Sequence, residues 1–125
     1  MPQPTEIRLD RAARVLHVSF DDGKEFALPA EYLRVESPSA EVQGHAPHQR
    51  QFVPGRRHVV IMRIEPVGNY AVRLIFDDRH DTGIYSWDYL RQLGEEHDHR
   101  WADYLNALAA RGLSRDPASG KSQSD

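Results

Sequence analysis

His45 and His48 flank Ala46-Pro47, and His58 and His80 follow further along the chain. Neutral imidazoles are ordinary ligands of zinc and related cations, so this grouping raises the question of a three-histidine metal site. The spacing argues against one. A His-x-x-His pair on an irregular stretch is a weak pattern, Pro47 restricts how its rings converge, and seven histidines in 125 residues cluster by accident. A second grouping is Asp77-Asp78-Arg79-His80-Asp81 followed by Tyr85-Ser86-Trp87-Asp88. It would place acids, an imidazole and aromatics where a strand runs into a helix, a position with unsatisfied N–H groups. Such a set would serve as a general-base pair or a ligand pocket. The plainer account is that His80 and Asp88 brace the turn and the helix start while Tyr85 and Trp87 pack inward. No nucleophile or phosphate-binding loop accompanies them. Arg50, Arg56, Arg57 and His58 form a basic patch with only Phe52 interleaved, which falls short of a nucleic-acid-binding pattern. No catalytic residue is assigned. The candidate binding surface is His45, His48, Arg56, Arg57, Asp78, His80 and Asp81.

The elements that must position these groups are legible in the patterning. Leu16, Val18 and Phe20 alternate with polar neighbours, and Asp21-Asp22-Gly23-Lys24 turns the chain into Glu25–Leu28, so a hairpin is expected. Pro29 presets a helix start for one short turn over Ala30–Arg34, with Tyr32 and Leu33 packed down, and Ser37-Pro38 stops it. Residues 37–57 lack periodicity, and a connection beyond about 12–15 residues is uncommon in a compact domain unless it is functional or mobile. Val59–Glu65 and Tyr70–Phe76 are rich in β-branched and aromatic residues around Pro66-Val67-Gly68-Asn69 and read as a second hairpin. Thr82–Tyr85 adds a short strand, and Glu6–Leu9 and Arg14–Phe20 complete the first group. Ser86 is a helix N-cap, with Gly94 expected to end that helix. Trp101, Tyr104, Leu105 and Leu108 mark a second amphipathic stretch within the helical region Ser86–Arg111. The low-complexity residues 114–125 are expected to be a disordered tail. The fold class is therefore α+β: a small, mainly antiparallel β domain with a C-terminal helical region, all in one domain.

Composition closes several functional classes. The chain has no cysteine, which excludes disulfides, thiolate metal sites and thiol nucleophiles. Net charge is −3, so no global field recruits nucleic acid or an anionic membrane. Mean hydropathy is −0.68, and no window approaches 18 consecutive apolar residues. The N-terminus lacks a signal-peptide pattern, which leads us to expect a cytoplasmic protein.

The stretches 31–41 (Glu-Tyr-Leu-Arg-Val-Glu-Ser-Pro-Ser-Ala-Glu), 64–78 (Ile-Glu-Pro-Val-Gly-Asn-Tyr-Ala-Val-Arg-Leu-Ile-Phe-Asp-Asp) and 80–90 (His-Asp-Thr-Gly-Ile-Tyr-Ser-Trp-Asp-Tyr-Leu) together resemble the bacterial DUF971 family. It is also called the gamma-butyrobetaine hydroxylase-like N-terminal domain. The resemblance spans residues 4–113 and implies a stand-alone member with the same small antiparallel β fold. Relatives of this kind stand at the N-terminus of gamma-butyrobetaine and trimethyllysine dioxygenases, where the domain binds zinc outside the iron-dependent barrel. Others are attached to P-loop ATPases that carry iron–sulfur clusters. The barrel's iron triad has no counterpart in this sequence. The three zinc-binding cysteines of the dioxygenase relatives match Ser37, Ser39 and Val42, and their histidine matches His80. Serine is a poor Zn²⁺ ligand and valine is none, so the resemblance implies a degenerate site and neither metal nor cofactor. It points to a non-catalytic accessory domain with a protein partner, linked to iron–sulfur or iron-dependent enzymes. The alternative is a small-molecule or metal-binding domain with dioxygenase-related activity.

Overall fold

The computed structural model describes residues 3–44 and 50–117. The described residues form an α+β domain from two three-stranded antiparallel meanders, β1-β2-β3 and β4-β5-β6. In the first, β1 (Pro4–Asp10), β2 (Val15–Phe20) and β3 (Glu25–Pro29) pair so that Leu16 faces Leu28 and Val18 faces Phe26. In the second are β4 (Ile61–Val67), β5 (Ala71–Phe76) and β6 (Gly83–Ser86). Pro66 and Val67, expected in the turn, belong to β4 and lie opposite Val72 and Ala71. β4 is an edge strand, where a proline without an N–H costs the ladder nothing.

Among the described residues are four helices, α1 (Ala30–Val35), α2 (Ala40–Gln43), α3 (Trp87–Glu95) and α4 (His97–Ala110), of which α1 and α3 lie on the sheets. α2 corrects the expectation that residues 37–57 are wholly irregular. It is a single turn in which the Ser39 carbonyl accepts from the Val42 and Gln43 N–H groups. Ser86 caps α3 as expected, its hydroxyl accepting from the Tyr89 N–H at 3.1 Å. Gly94 does not end that helix. A Cβ there would fall 2.5 Å from the Phe26 ring, so this glycine lets α3 lie close on β3.

The main core joins both sheets to α1 and α3 through Leu16, Val18, Leu33, Ile61, Leu74, Phe76, Tyr85, Leu90 and Leu93. Tyr104 and Leu108 of α4 form a smaller cluster with Val35, against which Phe52 and Val53 pack. Every residue of α1 is buried, its charged Glu31 and Arg34 included. Tyrosine hydroxyls pin this segment. Tyr32 donates to the Leu93 carbonyl at 2.7 Å, Tyr89 to that of Glu36 at 2.6 Å, and Tyr85 to that of Leu33. Burial of a tyrosine this way satisfies both its apolar ring and its polar tip.

Residues 114–117, expected to begin a disordered tail, lie against the domain instead. The Gly55 N–H donates to the Ser114 carbonyl at 2.9 Å and the Arg57 N–H to the Arg115 carbonyl at 3.1 Å. Low complexity was a poor guide here, because four residues need only polar partners in reach. Among the described residues no helix is long and apolar enough to cross a membrane.

Candidate functional site

The site grows out of the C-terminal end of α1 and the β5–β6 turn. Phe76 and His80 pair through the His80 carbonyl at 3.0 Å, which leaves Asp77-Asp78-Arg79 as a three-residue loop. Arg79 adopts a left-handed conformation (φ 73°), the usual way such a loop closes. Asp78 Oδ1 accepts from the His80 N–H at 3.1 Å, and this local bond turns the imidazole inward. His80 is 4% exposed.

Inside, the His80 ring bridges two elements. Its Nδ1 lies 3.0 Å from Glu41 Oε1 of α2 and its Nε2 lies 2.8 Å from Ser37 Oγ. With a carboxylate on Nδ1, that nitrogen carries the proton, so the Ser37 hydroxyl donates to Nε2. Ser37 Oγ in turn accepts from the Ser39 N–H at 3.3 Å. Burial holds the His80 imidazole below its usual pKa range, and the neighbouring Arg34 charge adds to that, against the pull of Glu41 and Asp78. It is therefore neutral at pH 7.

The serine–histidine–carboxylate connectivity is that of a nucleophile with its base and orienting acid. The surroundings forbid that use. Ser37 is 0% exposed, and a Cβ on Gly83 would fall 2.7 Å from its Oγ. No volume exists above the hydroxyl for an acyl group, and attack requires the reacting atoms about 3–3.5 Å apart. The relay braces the fold.

Asp78 is equally committed. Its Oδ2 accepts from Arg34 Nε at 2.8 Å and from Arg56 Nε at 2.6 Å. Burial works to raise this carboxyl, but the two guanidiniums and the His80 N–H outweigh it and hold Asp78 below the ordinary carboxylate range. Asp77 closes the other side of the turn, accepting from the Val60 N–H at 3.0 Å.

Of the residues singled out from the sequence, the fold thus brings Arg56, Asp78 and His80 together. Arg57 points elsewhere, to Asp116. Asp81 is exposed, with its carbonyl accepting from Arg73 at 3.1 Å. His45 and His48 lie outside the described residues. Asp88, read as a brace, is exposed, whereas Trp87 is half-buried and donates to the Asn69 carbonyl at 2.8 Å. Sequence reasoning missed Glu31, Arg34, Glu36 and Glu41. Glu31 and Arg34 lie on α1, Glu36 just beyond it and Glu41 on α2, and the burial that pairs them becomes visible only once α1 is known to be interior. Glu36 is 2% exposed, held by Arg50 at 3.1 Å and by Arg100 at 2.9 Å. Beside it opens a cleft of about 220 Å³ lined by Arg50, Phe52, Glu96, Arg100 and Tyr104.

A sequence profile described as gamma-butyrobetaine hydroxylase-like, N-terminal, matches residues 7–91. The chain belongs to this family. Among solved structures it is similar to two proteins determined by solution NMR. One is 48% identical, with 94% of this chain and 87% of that one covered and a TM-score of 0.81. The other is 44% identical, with 100% and 97% covered and again 0.81. It is also similar to a crystal structure of a DUF971-family protein of unknown function from Acidithiobacillus ferrooxidans. That chain is 44% identical, with 74% of this chain and 92% of that one covered and a TM-score of 0.63. No curated protein matches the chain.

The zinc site implied by the family's dioxygenase members can be tested on this geometry. Ser37 and Ser39 are joined by a hydrogen bond and Ser37 meets His80, while Val42 is buried on the adjoining turn. The donor set is one imidazole already shared between Ser37 and Glu41, two hydroxyls and an isopropyl group. It does not fit a tetrahedral Zn²⁺, which needs deprotonated sulfur, nitrogen or carboxylate ligands. Among the described residues no group of three or more histidine, aspartate and glutamate side chains converges on one point.

Proposed function

We propose that this domain is a non-catalytic protein-interaction module whose docking face combines the loop of residues 45–57 with the turn Asp77–Asp81. The observation that carries the reading is the commitment of the reactive groups: Ser37, His80 and Asp78 are spent on internal hydrogen bonds, and Ser37 is sealed under Gly83. What supports the face is the Arg56–Asp78 contact, which joins the long loop to the turn. Long connections in compact domains carry binding more often than they merely connect. The family's association with iron–sulfur ATPases and iron-dependent dioxygenases supports a partner among such enzymes. Affinity capture of the tagged full chain from its own cell lysate, alongside a variant with His45–Gln49 replaced by a short Gly-Ser link that keeps Arg50 on Glu36, tests this. A folded variant that loses the captured partner is expected. A folded variant that keeps every partner removes the loop from the docking face.

The cleft beside Glu36 favours a second reading, a small-molecule site. It sets Arg50 and Arg100 beside Glu36, Glu96 and Asp103, a lining of both signs that suits a small zwitterion. Stabilisation of the protein by a panel of free amino acids, abolished in Arg50→Ala, would support this reading. Absence of any shift would remove it.

A further inference from the structure

After α4 the chain reverses in a Schellman turn, with the Leu113 N–H donating to the Leu108 carbonyl at 2.9 Å and the Gly112 N–H to that of Ala109 at 3.2 Å. It then lays residues 114–117 across a seat built from three separate regions. Arg115 enters this seat. Its Nε and Nη2 donate to the two carboxylate oxygens of Glu31 at 2.8 and 2.6 Å, and its guanidinium carbon lies 5.2 Å from the Trp101 ring centroid. The main chain of the strap is held by the Gly55 and Arg57 N–H groups, and Asp116 pairs with the Arg57 side chain.

Each of these contacts is what a recognition site for an arginine-bearing peptide supplies. A buried carboxylate takes the planar fork bidentately, an aromatic face covers the cation, main-chain donors fix an extended backbone, and a second cation reads the following acid. The occupant is poorly anchored by comparison. Ser114 and Asp116 are exposed, Arg115 and Pro117 are half-buried, and the strap contributes no apolar side chain to either core cluster. Polar contacts of this kind exchange with water or with a competing peptide. By contrast the seat's Glu31 side chain is 8% exposed, a carboxylate whose burial makes sense only with a guanidinium upon it.

We propose that Glu31, Trp101 and the Gly55 and Arg57 N–H groups form a recognition site for an extended, arginine-bearing segment of a protein partner, and that Ser114–Pro117 occupies it in cis as a tethered competitor. This rests on the interaction-module reading and extends it: consecutive residues Arg56 and Arg57 serve the docking face and the seat respectively. A tethered segment acts at an effective concentration on the order of millimolar, so the partner engages when it outcompetes the strap or when the strap is displaced.

The probe is a capped peptide, Leu-Ser-Arg-Asp-Pro-Ala, titrated into the full-length chain and its full-length Arg115→Ala variant. Amide shifts of Gly55 and Arg57 and the fluorescence of Trp101 are followed. Saturable binding to Arg115→Ala is expected, at least tenfold weaker in the unsubstituted chain, and lost both in Arg115→Ala/Glu31→Gln and when the peptide arginine is alanine. Should Arg115→Ala not fold, Arg115→Lys retains the charge beside Glu31 while giving up the bidentate fork, and it is titrated instead. No saturable binding, or binding indifferent to Glu31 or to the peptide arginine, overturns the proposal. So does concentration-dependent dimerisation of the unsubstituted chain that Arg115→Ala abolishes, because the occupant would then be a second copy. Among the described residues the strap's contacts are with Glu31, Gly55, Arg57 and Trp101, outside the replaced segment. The loop-shortened chain carrying Arg115→Ala should therefore still bind the peptide, which separates failure of the seat from failure of the docking face.

Discussion

At its N-terminal end α1 offers Glu31 to one guanidinium on a four-residue strap, whereas just beyond its C-terminal end Glu36 is held by two arginines, one on the long loop and one on α4. Both carboxylates are almost wholly buried, at 7% and 2% exposure. The difference lies in what happens when a partner leaves. The strap adds no side chain to either core cluster, so its departure is expected to open Glu31 to water. Arg100 of α4 and Arg50 both hold the Glu36 carboxylate, and the Tyr89 hydroxyl of α3 donates to the Glu36 carbonyl. A buried charge is costly only when it cannot be rehydrated. One end of α1 is thus suited to exchange and the other to permanence.

The contrast is put at greatest risk by Glu36→Ala. It removes the shared acceptor and leaves two guanidiniums with restricted access to water, and a loss of about 3 kcal/mol in urea unfolding is expected, the low end for a broken buried pair because both arginines are part-exposed. Gly83→Ala is next, at about 1–3 kcal/mol, since the added methyl must displace Ser37 Oγ or the Tyr85 ring. Calorimetric melting of this variant checks it, and an unchanged midpoint would mean that the relay has room to move. Arg115→Ala should cost only about 1 kcal/mol, because water replaces the strap at Glu31. A loss matching that of Glu36→Ala would erase the distinction between the two ends.

Acid should weaken the permanent end first. His80 is depressed in the folded state, so the unfolded chain binds more protons as pH falls below about 6.5. Its contribution is fully present above that value and is lost as pH falls through the lower folded value. Asp78 is likewise depressed, and its contribution disappears at still lower pH, below about 4. Unfolding followed from pH 8 to 3, with His80→Gln as reference, should show the first of these slopes only in the unsubstituted chain. Glu41, Asp78, Arg34 and Ser37 face the imidazole and are unchanged in that reference. The smallest expected effect is a gain. Arg79→Gly relieves a left-handed residue in an exposed turn and should add up to about 1 kcal/mol in the same unfolding measurement.

Much of the fold was legible because its signals are local. Leu16, Val18 and Phe20 alternate through β2, and Ser86 caps α3 with its own hydroxyl. The misplacements share a cause. Pro66 is a turn residue unless the strand is an edge, Gly94 is a helix stop unless Phe26 needs the space, and Ser114 opens a tail unless Gly55 offers it a donor. Each depends on a neighbour distant in sequence. The site was half legible: His80 and Asp78 stood out as a polar cluster in a turn, but Glu31 and Arg34 looked like ordinary charges on a short helical turn, and Glu36 and Glu41 like charges at the start of an irregular stretch.

The sequence by itself determined the antiparallel strands, the helical C-terminal region and the absence of thiol chemistry, since these follow from residue type and short-range spacing. Only the tertiary structure decided that α1 is interior, that Ser37 and His80 meet with Glu41 behind them in a sealed relay, and that Arg115 returns to Glu31. Those outcomes join residues 43, 39 and 84 positions apart. Whether a charge is solvated or must be paired is set by what the rest of the chain folds over it.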